Sequence, residues 1–327
     1  MRAALRAPWR WAHRWRTMRA HSRSQRAPIQ RIRARPYASS CRRARGGSTD
    51  FLIRPVAAKL ADALGKPVFV DNRPGAGSVI GTEAVVKAAP DGYTLLAAPA
   101  SITMSPALYK LPFDPVRDLT PIANLAAFPN ILVVHPSLPV KSVQELVALA
   151  RAQPERIHFG SSGVATGTHM SMELFMSMAG IKLVHVPYKG GAPGVIGVIN
   201  GEVQVNFATI TTALPHVKTR RLRPLAVSTA RRSHAAPEIP TVSEAGLKGF
   251  EYASWIGLLA PAGTPRPIIE KLNAESVKAV QTAEIREILA KEGAEPVAST
   301  PETFASTIAA EVTRWIKVVK AAGITVR

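Results

Sequence analysis

The sequence has one cysteine, Cys41, so an internal disulfide is excluded, although a single thiol does not fix the compartment. It has no run of 18 apolar residues, which rules out a hydrophobic transmembrane helix. It has no GxSxG, the pattern that lifts a nucleophilic serine on a strand-to-helix turn. No internal repeat is evident, so a solenoid is not indicated. Residues 1–47 contain no lysine, aspartate or glutamate, yet they hold fourteen arginines and three of the five tryptophans. They also lack the apolar stretch of roughly 7–15 residues that a secretory signal needs.

The missing acids in that segment account for most of the charge. Of 42 basic residues fourteen lie there, leaving 28 against 22 acidic, so the body contributes only about +6 of the formal +20. The arginine-rich segment admits two physical readings, an RNA-binding arm or a disordered tail. Its mixture of Arg, Ala, Pro, Ser and Trp without Lys or Asp is also what GC-rich DNA gives in the wrong reading frame. The body is an ordinary globular chain. With 327 residues and 46% hydrophobic content it suits two lobes, each with a sizeable core.

From Gly46 onward the pattern becomes regular. Leu52, Val56, Leu60 and Leu64 repeat every four residues before Gly65, which predicts a helix and its stop. Strands are expected at 68–70, 93–97, 131–134, 157–159, 183–186, 203–207 and 222–227. Helices are expected at 79–88, 142–152, 170–179, 192–199 and 212–219. "SVQE" at 142–145 is a capping box. Prolines 112, 115, 121 and 129 read as punctuation between two βα blocks. After "SWIGLLAPAGTP" the chain turns helical, at about 266–280, 283–292 and 301–320. Strands alternating with helices at this spacing give parallel α/β sheets. The expected division is a 1–45 arginine-rich segment, 46–130 as the first part of lobe I, 131–253 as lobe II, and 254–327 returning to lobe I.

Four loops carry candidate chemistry. "VDNRPGAGSVIG" at 70–81 nearly spells a dinucleotide fingerprint, but its spacing is GxGxxxG and no acid ends the next strand, so a plain strand-to-helix turn is the better reading. "GGSTD" at 46–50 places two glycines before a helix start, where free N–H groups and the dipole favour an anion; simple N-capping explains it equally well. "FGSSGVATGTHM" at 159–170 puts Ser161, Ser162, Thr166 and Thr168 at a strand's C-terminal end, where α/β ligand sites lie. No base is spaced in the sequence to activate either serine. His169 and Glu173 share a helix face without a third metal ligand, so a packed or capping histidine is expected and a metal is not. Tyr188 and Lys189 of "VPYKGG" stand at a helix start, as anion ligands or as solvent-facing groups. Two anion-friendly loops, one per lobe, with no catalytic constellation, point to a hinge-closing binding protein more than to an enzyme. The alternatives are a nucleotide-dependent α/β enzyme and a nucleic-acid binder working through the arginine arm.

"VDNRPGAGSVIGTEAVVKAAPDGYTLL", "LPFDPVRDLTPIA", "PNILVVHPSLPVKSVQELVALA", "HVPYKGGAP", "ALPHVKTRRLRPLAVST" and "IPTVSEAGLKGFEYASWIGLLAPAGTP" closely resemble the Bug family, the extracytoplasmic solute receptors of tripartite tricarboxylate transporters. The resemblance runs from about Gly46 to the C-terminus. It implies an α/β periplasmic-binding-protein type II fold whose two lobes close on a small carboxylate, with no catalysis, metal or cofactor. It implies a periplasmic monomer that delivers its ligand to membrane permease subunits and has no nucleic-acid partner. Carried over by position, Gly46, Gly47, Ser48, Thr49, Ala100 and Ser101 would hold ligand from the first lobe. Ser161, Ser162, Gly163, Thr166, Thr168, His169, Phe207, Ala208 and Thr209 would hold it from the second. Some members carry an aspartate at the position of Ala208 that can face a ligand amine, so Ala208 implies a carboxylate without an ammonium group.

The departure lies at the front. The family has a signal peptide, then an apolar strand leading to Pro-Gly-Gly, whereas "SSCRRAR" precedes Gly46 here. A frameshift or misplaced start just upstream of Gly46 is the expectation, and as written the chain would lack its first strand and fail to be exported.

Overall fold

The computed structural model describes residues 33–36, 49–71 and 79–324. Its axis is β3 (Leu119–Val134), a 16-residue strand that belongs to two sheets in turn. The first half pairs antiparallel with β8 (Ala253–Pro261), which pairs antiparallel with β2 (Thr94–Pro99), and β9 (Glu295–Pro296) pairs with Ala126 and Ala127. The second half, from Asn130, pairs antiparallel with β6 (Val205–Thr209) and β7 (Arg223–Val227). Beyond β6 lie β4 (His158–Ser161) and β5 (Val184–Pro187), both parallel to it.

Three expectations change here. The first sheet does not lack its outer strand. The backbone of β1 (Arg33–Pro36) runs parallel to β2, pairing Arg33 with Thr94 and Pro36 with Ala97, so the arginine-rich segment supplies the edge. Residues 68–70 do not form a regular strand, and only Val68 makes a bridge. Of the four prolines expected to punctuate a loop, Pro112 and Pro115 precede β3, but Pro121 and Pro129 lie inside it. Pro121 sits where the register with β8 slips, a bulge that tolerates a missing N–H. Pro129 falls between the last β9 partner, Ala127, and the first β6 partner, Asn130.

Helices cover both faces of each sheet, which is why the strands read as continuous apolar runs. In β2, Leu95 and Ala97 meet α1 (Asp50–Leu64) through Leu52, Val56 and Leu60, and Leu272 of α8 (Arg266–Gln281) joins them. Leu96 and Ala98 face the other way, onto Val85 of α2 (Val79–Val86) and onto Phe304 and Ile308 of α10 (Pro301–Ala322). Gly65 ends α1 in the left-handed conformation at φ 62°, as the pattern predicts. Gly257 of β8 has a separate role: a Cβ there would collide with the Phe304 ring, so the glycine lets α10 lie against the sheet. In the second lobe Leu132, Val134, Val205 and Phe207 pack on α4 (Val143–Ala152) and α5 (Gly167–Ala179). Ile131, Val133 and Ala208 pack on α6 (Gly191–Ile199) and α7 (Ile210–Lys218). The capping box holds with one change. Ser142 accepts from the Glu145 N–H at 3.1 Å, while the Glu145 carboxylate reaches the Lys141 N–H at 2.6 Å.

Helix α10 spans both lobes. Phe304 and Ile308 lie in the first-lobe core, whereas Trp315, Val318 and Val319 lie in the second-lobe core with Phe159, Met172 and Phe175. Between them Glu311 is buried, accepting from the Thr103 hydroxyl of α3 (Ser101–Leu108) at 2.8 Å and from the Trp255 indole of β8 at 3.0 Å. Burial pushes its carboxyl pKa up, against the pull of those two hydrogen bonds.

The chain crosses between lobes along β3 and again just before β8. Ser228 ties the two crossings. Its hydroxyl donates to the Tyr252 carbonyl at 2.7 Å and accepts from the Asn130 N–H at 2.9 Å, and its own N–H and C=O pair with Asn130 and Tyr252. Replacing Ser228 with Ala leaves a buried carbonyl and a buried amide short of a partner, so Ser228→Ala should lose about 1–3 kcal/mol in denaturant unfolding. A loss too small to measure would contradict this account of the hinge.

Candidate functional site

Strand direction decides where the loops meet. β3 runs from the far end of the first lobe, through the crossing at Pro129 and Asn130, to the far end of the second. β8 opposes it and β2 opposes β8, so β2 ends at the crossing, where Pro99 pairs with Ile256. β6 opposes β3 in the second lobe, so it too ends there, with Thr209 opposite Asn130. β4 and β5 are parallel to β6 and end at the same level. The loops after β2, β4, β5 and β6 therefore converge on the space between the lobes, the usual ligand position for sheets of this type.

In the first lobe, Gly46, Gly47 and Ser48 lie outside the described residues. Thr49 stands at the start of α1 and is 1% exposed. Phe51 meets Phe128 edge-on at 6.1 Å, which sets this end of α1 beside the crossing. Ala100 and Ser101 open α3; the Ala100 N–H donates to Trp255 O at 2.9 Å. The Thr49 Oγ1 and Ser101 Oγ atoms are buried and have no hydrogen-bond partner. An unpaired buried hydroxyl is costly, about 1–3 kcal/mol, unless something else satisfies it.

The helix starts around the cleft share one property. No side chain caps α1, α3, α5, α6 or α7, all of which begin at the crossing level. Away from the cleft α4, α9 (Ala283–Lys291) and α10 are capped by Ser142, Thr282 and Thr300, while α8 follows Pro265 and has no side-chain cap. Uncapped first turns leave N–H groups and the positive dipole end facing the cleft.

The second-lobe loop is tightly tied. Ser162, Thr166 and Thr168 form a ring of hydroxyls, with oxygen separations of 3.0, 2.8 and 3.2 Å. The Thr166 hydroxyl donates to Gly163 O at 2.7 Å, and the Ser162 N–H donates to Thr168 Oγ1 at 2.8 Å. Gly163 takes φ +136°, which favours glycine, and Ala165 takes φ +58°. Ser162, Gly163 and Thr166 are half-buried and within a ligand's reach, as is Thr209. Phe207 is not: its ring stacks on Phe250 in the core, leaving only its backbone at the strand end. The Ala208 methyl is covered by apolar neighbours, so no charge stands there.

Under the loop lies a cluster that the sequence did not show. The rings of His169 and His185 stack at 3.9 Å, and Phe159 stacks on His185 at 4.8 Å. His185 Nε2 lies 2.7 Å from Ser161 Oγ. A base does therefore stand beside Ser161, contrary to the sequence expectation. The reason is register, because Ser161 and His185 sit on neighbouring parallel strands 24 residues apart. The pair is structural, since Ser161 is 0% exposed and its hydroxyl is also within 3.1 Å of Gly163 O. His169 is 3% exposed, accepts from the Ala165 N–H at Nδ1 (3.1 Å) and faces Glu173 through Nε2 (3.2 Å). The ring is thus engaged by protein at both nitrogens. Tyr188 also turns away from the site, its hydroxyl donating to Glu202 at 2.9 Å, and burial raises its pKa to about 12. Among the described residues no group of three or more His, Cys, Asp and Glu is placed to hold a metal ion.

Burial, with the neighbouring His169 second, lowers the His185 pKa from 6.5 to about 4. The unfolded chain takes up this proton near pH 6.5, whereas the folded chain refuses it until about pH 4. Stability should therefore fall as pH is lowered through that window and level off below it. Thermal melts of the wild type and His185→Gln across pH 7 to 4 test this, the variant showing the shallower fall; parallel curves would contradict it.

The chain matches the model of the tripartite tricarboxylate transporter family receptor over residues 52–324. It is 37% identical to the protein BugT of Bordetella pertussis over 281 residues, covering 85% of this chain and 86% of that one. Among solved structures it is similar to R. palustris Rpa4515 with adipate, at 35% identity and TM-score 0.69, covering 91% of this chain and 99% of that one. It is also similar to MatC from Rhodopseudomonas palustris with bound malate, at 29% identity and TM-score 0.67, covering 89% and 99%. The convergent loops and uncapped helix starts agree with these matches, and the chain belongs to the tripartite tricarboxylate transporter receptor family, with the two-lobed fold of its periplasmic solute-binding proteins.

Proposed function

We propose that the protein is an extracytoplasmic receptor that captures a small dicarboxylate between its lobes and delivers it to the permease of a tripartite tricarboxylate transporter, acting as a periplasmic monomer without catalysis. The observation that carries this reading is the pair of unpartnered buried hydroxyls, Thr49 Oγ1 and Ser101 Oγ, at two uncapped helix starts beside the crossing. One carboxylate would take those hydroxyls and the nearby N–H groups. The other would take Ser162, Thr166 and Thr209 with the backbone of Gly163 and Ala208. Backbone N–H groups and hydroxyls, directly or through water, suit a carboxylate without a dedicated arginine. Adipate and malate, bound by the two relatives, are both dicarboxylates without an ammonium group. Ala208, buried among apolar side chains, offers no counter-charge to an amine.

A carboxylate panel tests the proposal. Ligand at 100 times its Kd should stabilise the protein by about 2.7 kcal/mol. No stabilisation by any carboxylate would overturn the reading. Ser101→Ala and Thr49→Ala should each weaken binding by about two- to tenfold, the value of one hydrogen bond. In calorimetry, adipate or malate should bind more tightly than aspartate or glutamate, and the reverse order would exclude the role given to Ala208.

A further inference from the structure

His169 is buried beneath the 161–168 loop rather than open to the cleft, and its two neighbours make opposite demands on it. The Ala165 N–H can only donate, so Nδ1 must carry a lone pair. The Glu173 carboxylate accepts, so Nε2 must carry the proton. One neutral tautomer meets both demands.

We propose that His169 is a positioning residue: as the Nε2-protonated imidazole it holds the Ala165 backbone and so sets the shape of the loop that receives the ligand. This rests on reading 161–168 as the ligand loop.

Three observations support it. Ala165 is in the left-handed region at φ +58°, where an L side chain costs about 1 kcal/mol or more, so its conformation needs an anchor. The Nδ1 contact is that anchor. The ring cannot turn freely, because it lies flat on His185, which is itself flat on Phe159. The same stack holds the start of the loop, through His185 Nε2 and Ser161 Oγ. The start and the middle of the ligand loop are thus fixed by adjacent imidazoles, which leaves Ser162, Gly163 and Thr166 as the parts presented to the cleft. The titratable groups against His169 are Glu173 on its own helix and His185 on β5.

The test separates this role from ligand contact and from space filling. Asn places an amide oxygen near the Nδ1 position, whereas Gln places its amide near Nε2. His169→Asn should therefore keep the Ala165 N–H bonded and His169→Gln should not. In histidine-labelled wild type, nitrogen NMR should show His169 with its proton on Nε2. Hydrogen exchange of the Ala165 amide should be at least about tenfold faster in the Gln variant than in the Asn variant. With adipate as the probe, the Gln variant should bind about tenfold more weakly than the Asn variant. An Nδ1-protonated ring, or equal exchange in the two variants, would overturn the proposal. Should the wild type not bind adipate, the dicarboxylate reading would be in question, while the tautomer and exchange results would still decide this one. Should the Gln variant not fold, the wild-type tautomer and the exchange of Ala165 against the rest of the loop decide it.

Discussion

Ser228 gives its hydroxyl proton to Tyr252 and receives the Asn130 N–H, and through these contacts two separate crossings of the chain become one joint. Everything that faces the cleft depends on where that joint lies. Because β3 passes straight through it, each lobe's sheet is built outward from a common strand. β2, β4, β5 and β6 then end at the joint, and each delivers a loop and a helix start there. Glu311 reinforces the joint by drawing α3, β8 and α10 onto one buried carboxylate. The loss of hydration that raises its pKa is offset by two directed hydrogen bonds, the arrangement in which a buried acid remains tolerable.

The cleft's chemistry is built mainly from partial charges. Its residues include hydroxyls and helix starts without caps, while the arginine surplus of the sequence lies largely in residues 1–47. Fixed dipoles suit reversible binding of an anion. They orient an anion without the strong pairing of a buried guanidinium, which would be costly to break. The rigid part of the site lies one layer deeper, in the stack of Phe159, His185 and His169.

Much of this could be read from the residues. The four-residue spacing of Leu52, Val56 and Leu60, the Ser142 cap and the three late helices follow local rules, and local rules suffice for them. β3 was legible only in its last four residues, because Pro121 and Pro129 obey a strand rule that depends on bulges and on partner changeover. The pairing of Ser161 with His185 was hidden for a related reason: it exists only once β4 and β5 are aligned in register. The loops were found by composition, but which of their members face the cleft was not. Phe207 and His169 are buried whereas Ser162, Thr166 and Thr209 are half-buried, and burial is set by packing across lobes and layers.

Helix α10 carries a practical consequence. Its sequence position follows first-lobe elements, yet its last two turns supply Trp315, Val318 and Val319 to the second-lobe core. The lobes are therefore not separable genetic units. Cutting the gene at the second crossing, just before β8, would leave the second-lobe fragment with a hole where an indole belongs and the other fragment with an exposed apolar helix. Any rotation of one lobe against the other would have to bend or slide this helix, because its two ends are buried in different cores.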